Sequence, residues 1–227
     1  MRVPHNFGPM NTRPNKIWRT GIAWGLYDFA NSGYYLVYAL LVLPLYLMTV
    51  ALKNDPWLEM KWGIAQGAAV ATAVIAGLIW GRKLDSIGAA TVARIGMVAP
   101  AIASMAFQLL IVLRASGDVI LLSYVIVHAL YLVSLTIYDA SLTHVARPSE
   151  FIEASGWAWG FGYAGGLACL VLMEIGLMFW PRYSAWDFLV GSSFYLFFAV
   201  FAARRIGNLI TVSPINVAVN EPASLQS

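Results

Sequence analysis

The polar residues that could support chemistry fall into two short segments of the chain. Tyr27, Asp28 and Asn31 lie together near the start of a long apolar stretch. Tyr138 and Asp139 close another such stretch. An ionisable group within or near a membrane is costly and usually faces protein or a water-filled cavity. These residues are therefore candidates for a substrate, proton or gating site. The alternative is that both aspartates lie in the wet interface and pair locally.

His128 is a further candidate, because it lies near the middle of the apolar stretch that ends at Asp139. An ordinary histidine titrates near neutrality, so a side chain at this depth could relay protons. The commoner use of such a position is a neutral histidine that hydrogen-bonds a neighbouring helix. Both interpretations place His128 in the interior of a helical bundle.

No residue pattern in the chain indicates catalysis or a bound cofactor. The sequence contains no phosphate-binding loop, no HExxH and no Gly-x-Ser-x-Gly. Its histidines, His5, His128 and His144, are far apart and lack metal-ligand spacing. Cys169 is the only cysteine, which excludes an intramolecular disulfide and a thiolate metal cluster. We therefore expect neither an enzyme nor a metal or cofactor protein.

Composition predicts that the candidates belong to a membrane protein. Hydrophobic residues make up 60% of the 227 positions and charged residues 11%, whereas a soluble domain carries roughly 25% charged residues. The charges are segregated, and the runs between them are long enough for helices that cross ~30 Å of hydrocarbon. Strands of a membrane β-barrel would be shorter and would alternate polar with apolar residues. The sequence predicts an all-α integral membrane protein in a lipid bilayer. Its net charge of +3 then reflects topology rather than nucleic-acid binding.

Six transmembrane helices are predicted, and together they form one domain over 21–206. Tails at 1–20 and 207–227 flank this domain. Pro44 lies inside the first helix and is expected to kink it, which neighbouring helices can tolerate. The helices are expected at roughly 21–50, 62–81, 92–113, 118–138, 157–179 and 186–206.

Basic residues are distributed unevenly about these helices. With both termini on one side of the membrane, that side holds ten of the fourteen lysines and arginines and the other side holds four. Positive charge favours the cytoplasmic side. The asymmetry predicts cytoplasmic termini and an even number of helices in a membrane such as the bacterial inner membrane. The four residues assigned to the outer side are Lys53, Lys61, Arg114 and Arg182.

Small residues recur at four-residue spacing on the second and fifth predicted helices. This spacing places them on one helix face, where the lack of bulky side chains permits close contact with another helix. That helix could belong to a partner protein or to the same bundle. The candidate interface residues are Ala69, Ala73 and Gly77 on the second helix and Gly156, Gly160, Gly162 and Gly166 on the fifth.

Four segments resemble the major facilitator superfamily. Gly81, Asp85 and Gly88 match the loop signature G-x-x-x-D-R-x-G-R-R, although Ser86 and Ala89 replace two of its arginines. The segment 25–32, of sequence GLYDFANS, is similar to the opening of the vacuole-effluxer-like branch of that superfamily. The segments 138–142 (YDASL) and 155–166 (SGWAWGFGYAGG) resemble the same branch. The resemblance covers the N-terminal six-helix half of such a transporter.

This resemblance implies a bundle of two inverted three-helix repeats. The first and fourth helices would then line a central cavity, with Asp28, Asn31 and His128 near it. Asp139 would lie at the cytoplasmic end of the same cavity. The second and fifth helices would contact the other six-helix half, which is where the small residues occur.

Two functions remain open at this point. A half-size transporter component would move a small solute by alternating access with a partner half, which could be a second copy or a separate chain. A non-transporting structural or assembly subunit would instead use the fold as a scaffold within a larger respiratory or photosynthetic membrane complex. The Tyr-Asp and Asn-Ser cluster favours the first function, and the half length and altered loop signature favour the second. Both imply another membrane protein as partner.

Overall fold

The computed structural model of the chain describes residues 17–179 and 184–212, and every regular element in those ranges is helical. This confirms the all-α class. The tails are described only at their inner ends, since residues 1–16 and 213–227 lie outside the described part. The α-helices are α1 (Ile17–Tyr34), α2 (Val42–Tyr46), α3 (Leu58–Ile87), α4 (Ala89–Val112), α5 (Gly117–Val145), α6 (Phe151–Phe179) and α7 (Ser184–Val212).

All six predicted helices are present, and each is long and apolar enough to cross a membrane. The first consists of α1 and α2 with π-helical turns at Tyr35–Leu40 and Leu47–Ala51. The second to sixth correspond to α3 to α7, with a 3-10 turn, Pro148–Glu150, before α6. The candidate spans are Thr20–Ala51, Leu58–Ile79, Ala89–Val112, Gly117–Val145, Pro148–Phe179 and Ala185–Thr211.

Several helices run beyond their predicted ends. Helix α3 continues to Ile87 rather than ending near 81, and α7 continues to Val212 rather than ending near 206. Hydropathy marks only the part of a helix that matches the apolar slab. In α3, Arg82 and Lys83 are good helix formers and favour its continuation. The extension of α7 contains neither residue type, and it contacts α4 instead, where Arg94 donates to Asn208 Oδ1 at 3.1 Å. Residues 207–212, predicted as the start of the C-terminal tail, therefore continue α7.

The distortion expected at Pro44 is present, and it begins three residues earlier. Leu41 has φ −125° and ψ −65°, and its N–H donates to the carbonyl of Leu36 at 2.9 Å. Proline has no N–H to donate, and its ring clashes with the carbonyl four residues before it. The wider π-helical turn accommodates both effects. The first span is therefore interrupted near its middle.

The main contacts between helices correspond when the first three spans are exchanged with the last three. Helix α1 packs mainly against α6 and α7, and α5 packs mainly against α4 and α3. The exchange turns the contacts of α1 with α6 and α7 into the contacts of α5 with α3 and α4. Helices α4 and α7, the third and sixth spans, pack directly on each other. The exchange therefore leaves this contact in place, with the two helices swapped.

The contact between α1 and α6 depends on glycine. A Cβ on Gly25 would lie 2.8 Å from the Cα of Ala158, and a Cβ on Gly165 would overlap the backbone of Phe29. Glycine therefore lets the two backbones touch, as small residues commonly do in membrane helices. This close approach fixes the position of α6 beside the polar segment of α1.

Buried tyrosines form the centre of the bundle. The hydroxyl of Tyr27 lies 2.7 Å from Ser134 Oγ and 2.9 Å from the hydroxyl of Tyr195. Tyr38 donates to the carbonyl of Ser104 at 3.1 Å. A buried tyrosine contributes a large apolar ring but needs a partner for its hydroxyl. These hydrogen bonds join α1 and the π-helical turn after it to α4, α5 and α7.

An ion-pair cluster joins two turns at one end of the bundle. Lys61 Nζ lies 2.7 Å from Asp55 Oδ2 and 2.7 Å from Asp118 Oδ1. The hydrogen bond from Lys61 holds the pKa of Asp55 below its usual range. The turn after the first span and the start of α5 therefore lie at the same end of the bundle.

Candidate functional site

A cavity of about 740 Å³ lies between α1, α5 and α6. It collects most of the polar residues singled out from the sequence, together with several aromatic rings. The polar residues of its wall are Asp28, Asn31 and Ser32 from α1, Tyr138 and Asp139 from α5, and Ser155 from α6.

Asp28 is the most constrained of these groups. It is partly buried, and it accepts hydrogen bonds from Asn31 Nδ2 and from the Tyr138 hydroxyl, both at 3.2 Å. Positions 28 and 31 share one helix face because residues three apart are neighbours on a helix surface. The Ser32 hydroxyl donates to the carbonyl of Asp28 at 2.8 Å. Both carboxylate oxygens are therefore held by neutral donors from two helices.

Asp139 follows Tyr138 on α5, and its side chain is exposed. It lies near enough to Asp28 for the two negative charges to repel each other. In the described part of the chain neither carboxylate forms an ion pair, and no lysine or arginine is found in the cavity wall. The cavity therefore carries negative charge that the described residues do not balance.

Trp24 fixes the position of Tyr138. The two rings stack with centroids 4.2 Å apart and an angle of 13° between their planes. Trp24 Nε1 donates to Ser141 Oγ at 3.0 Å and to the carbonyl of Tyr138 at 3.2 Å. These contacts anchor α1 to α5 and aim the Tyr138 hydroxyl at Asp28. Trp24 was not among the candidates predicted from the sequence.

The residues of the wall follow the helical repeat, and this periodicity could have identified them. Positions on one face of a helix recur at spacings of three and four. On α6 that face changes from polar at its start to apolar further along. The wall residues that follow this repeat are Trp24, Asp28 and Asn31 on α1 with Tyr35 at the start of the π-helical turn after it, Tyr131, Leu135 and Tyr138 on α5, and Ser155, Trp159, Gly162 and Gly166 on α6.

Tyr27 does not belong to this wall, contrary to the prediction that it is a site residue. It is fully buried in the core, where its hydroxyl meets Ser134 and Tyr195. Its side chain points from α1 toward α5 and α7, away from the cavity that Asp28 lines. Tyr27 holds α1, α5 and α7 together.

His128 lies behind the cavity rather than in its wall. Its ring stacks with Tyr124 at a centroid distance of 4.9 Å and with Tyr131 at 5.5 Å. Its Nδ1 lies 3.4 Å from the Tyr34 hydroxyl. Tyr131 stands between His128 and the cavity, since it contacts both. This arrangement fits an interhelical contact better than the proton relay considered from the sequence.

The residues of the loop signature do not form a loop. Gly81 and Asp85 lie within the continuous backbone of α3, which ends at Ile87. Gly88 alone joins α3 to α4, and its φ of +90° and ψ of +131° are disfavoured for residues with a side chain. The backbone conformation at position 88 therefore requires glycine. The side chains of residues 80–86 lie outside the described part of the structure.

The proposed partner-interface residues divide into two groups. Ala69 and Gly166 are buried within the chain, and Gly162 is partly buried against Ser32 of α1. For these three, the expectation of an outward-facing interface is wrong because their faces already contact helices of the same bundle. Ala73 is partly buried. The three glycines that remain exposed, with no atom within 4 Å of an added Cβ, are Gly77, Gly156 and Gly160.

The structure thus brings Asp28, Asn31 and Asp139 into one cavity and excludes Tyr27 and His128 from its wall. Sequence comparison adds no relative against which to test these roles. No protein-family model matches the chain, and searches of curated proteins and of solved structures find no match. The resemblance to the major facilitator superfamily therefore stays a prediction that rests on the four quoted segments.

Proposed function

We propose that this chain is one half of a membrane transporter whose solute pathway is completed by a partner half. The observation that carries the proposal is the position of the cavity. Asp28, Asn31 and Asp139 lie in a wall that is open on one side of the bundle, next to the exposed rings of Trp159 and Tyr163. A charged group facing hydrocarbon costs about 2.5–3.5 kcal/mol on insertion scales. A second protein over this face would remove that cost and enclose the cavity.

The packing pattern supports the transporter interpretation. A bundle whose main contacts correspond when spans one to three are exchanged with spans four to six is what two inverted three-helix repeats would produce. Transporters of this architecture place their solute site between repeats or halves and alternate its access by rocking. The cavity lies beside α1 and α5, the first and fourth spans, which correspond under the exchange.

The exposed glycines support a protein partner on the same side. Gly156 and Gly160 lie on α6, the helix that also contributes Ser155 and Trp159 to the cavity wall. Gly77 lies on α3, the helix that corresponds to α6 under the exchange of repeats. Smooth helix faces gain close contact from another helix but little from lipid. The partner would be a second copy or a separate six-helix half.

We place the chain in a bacterial inner membrane with both termini in the cytoplasm. Six spans return the chain to its starting side, and the ten-to-four distribution of basic residues favours that side as cytoplasmic. The Lys61 cluster would then lie outside. Asp139 would lie near the cytoplasmic end of the cavity.

A non-transporting subunit of a larger membrane complex is the second candidate. One observation favours it: His128 lies behind the cavity wall among the rings of Tyr124 and Tyr131, with its Nδ1 3.4 Å from the Tyr34 hydroxyl, as an interhelical structural contact would. Such a subunit would still need a partner over α3 and α6. The two candidates differ in whether the cavity opens alternately to both sides of the membrane.

Thiol labelling tests that difference without knowledge of the solute. Ser32→Cys places a nearly isosteric thiol in the cavity wall, and Cys169→Ser removes the native cysteine. For a transporter, membrane-impermeant maleimides should label position 32 from either side of sealed vesicles. Thr136→Cys on the exposed face of α5 is the matched control and should resist both reagents. Labelling of position 32 from one side only would favour the subunit.

A further inference from the structure

The charge of the cavity points to the kind of solute it accepts. Each of the two carboxylate oxygens of Asp28 accepts one hydrogen bond from a neutral donor, although a carboxylate can accept about four hydrogen bonds in total. Asp139 makes no hydrogen bond or ion pair with the described part of the chain. A ligand that brings hydrogen-bond donors and positive charge would satisfy both carboxylates, whereas an anion would be repelled.

Aromatic rings make up much of the remaining wall. Trp24, Tyr35 and Tyr131 line the side formed by α1 and α5, and Trp159 and Tyr163 line the side formed by α6. Trp159 and Tyr163 are 68% and 73% exposed, and their ring centroids lie 6.3 Å apart at 61°. The face of an aromatic ring attracts a cation, and tryptophan does so most strongly. The mouth of the cavity therefore suits a positively charged group as well as an apolar one.

The rest of the wall suits an apolar body. It consists mostly of leucines and glycines, including Leu36, Leu135 and Leu170. A hard inorganic cation would need six or more oxygen ligands. In the described residues, no three His, Cys, Asp or Glu side chains come together as a metal site would require. A volume of about 740 Å³ also exceeds what a single ion would fill.

We propose that this cavity binds an organic cation, with its positive group between Asp28 and Asp139 and its apolar body against the aromatic rings of α1, α5 and α6. The proposal rests on the proposed function, because it takes the cavity as the solute site of a transporter. It adds the class of solute: an ammonium or guanidinium group on an aromatic or aliphatic body. Two carboxylates would hold the charge, and the rings would select for the body.

The test measures binding of benzyltrimethylammonium to the full chain, purified with any partner that stays bound and placed in zwitterionic lipid nanodiscs. Benzyl alcohol and benzoate serve as neutral and anionic probes of similar shape, and empty nanodiscs correct for partition into lipid. We expect binding of the cation and at least tenfold weaker binding of both other probes. Asp28→Asn should weaken cation binding about tenfold or more. Glu59→Gln, which removes an exposed acid at the start of α3, should leave it unchanged.

The aromatic contribution has its own matched pair of variants. Trp159→Leu should weaken cation binding about threefold or more, which corresponds to the lower range of cation–π interactions. Trp57→Leu removes a comparably exposed tryptophan, 61% against 68%, outside the cavity wall and should have no effect. Equal binding of the three probes, no binding of the cation, or cation binding that survives Asp28→Asn would overturn the assignment. The proposed function would still stand in those cases if Ser32→Cys were labelled from both sides of the membrane.

Discussion

The cavity and the aromatic core behind it are built from similar residues but differ in how their polar groups are paired. In the core, the hydroxyls of Tyr27 and Tyr38 meet partners from other helices. In the cavity, Asp139 has no partner in the described part of the chain, and Asp28 retains unused acceptor capacity. Polar groups of the first kind hold helices together, and those of the second kind are available to a ligand. Mutations in the two regions should therefore separate stability from binding.

The largest effect is expected where the backbones of α1 and α6 touch. Gly165→Leu should prevent correct folding, because any side chain there would overlap the backbone of Phe29. We expect a loss of more than about 3 kcal/mol, above the usual cost of overpacking. The measurement is the yield of monodisperse protein and its thermal midpoint in mild detergent. Gly160→Leu is the matched control and should fold normally, since no atom lies within 4 Å of an added Cβ there.

A moderate loss of stability is expected from Tyr27→Phe in the core. The change removes the hydroxyl that joins Ser134 to Tyr195. Ser134 keeps its hydrogen bond to the carbonyl of Tyr131, but the buried hydroxyl of Tyr195 loses this partner, and leaving a buried polar group unpaired costs about 1–3 kcal/mol. The thermal midpoint should fall, while cysteine labelling of the cavity should keep its pattern. Tyr163→Phe at the exposed mouth should leave the midpoint unchanged. If Tyr27→Phe altered labelling without altering stability, the division between core and cavity would fail.

The opposite result is expected from Asp28→Asn in the cavity. An asparagine can still accept one hydrogen bond, so the free energy of unfolding should change by less than about 1 kcal/mol. Cation binding should nevertheless fall about tenfold. Thermal unfolding and probe binding measured on the same nanodisc sample separate the two quantities. A loss of stability comparable with that of Tyr27→Phe would place Asp28 among the structural groups instead.

The smallest effect is expected at the ion-pair cluster of Lys61, Asp55 and Asp118 at the end of the bundle. The folded-state pKa of Asp55 is lowered by Lys61. Its stabilising contribution is therefore fully present above its usual pKa of about 4 and is lost as pH falls through the lowered value. Asp55→Asn should reduce the thermal midpoint slightly at pH 7, and the difference from the wild type should shrink steadily as the pH is lowered below about 4. A difference that grew as pH fell would contradict the sign of this contribution.

The sequence was informative about helices and less informative about the faces of those helices. Charge-free runs predicted all six spans because the apolar slab fixes their length. Tyr27 was misplaced because membrane helices are apolar on most sides, so hydropathy alone does not tell a core face from a cavity face. Periodicity through Trp24, Asp28, Asn31 and Tyr35 carried that information.

The four-residue spacing of glycines likewise did not show which helix faces contact the rest of the bundle. Gly162 and Gly156 belong to equivalent small-residue patterns, yet Gly162 packs against α1 and Gly156 is exposed. Spacing identifies a face that can be approached closely. Whether a helix of the same chain occupies that face depends on the arrangement of the whole bundle, which no local pattern specifies.

Site-specific photo-crosslinking in native membranes tests most directly that this chain is one half of a larger assembly. A photoreactive amino acid would replace Gly160 on the exposed face of α6 or, as a control, Ile102 on α4, which is 56% exposed on another side. If the chain is one half of a larger assembly, position 160 should give one discrete protein adduct, either with a second copy or with another six-helix chain. Position 102 should give lipid adducts alone. A chain that moves solute across the membrane but gives only lipid adducts at position 160 would contradict the account.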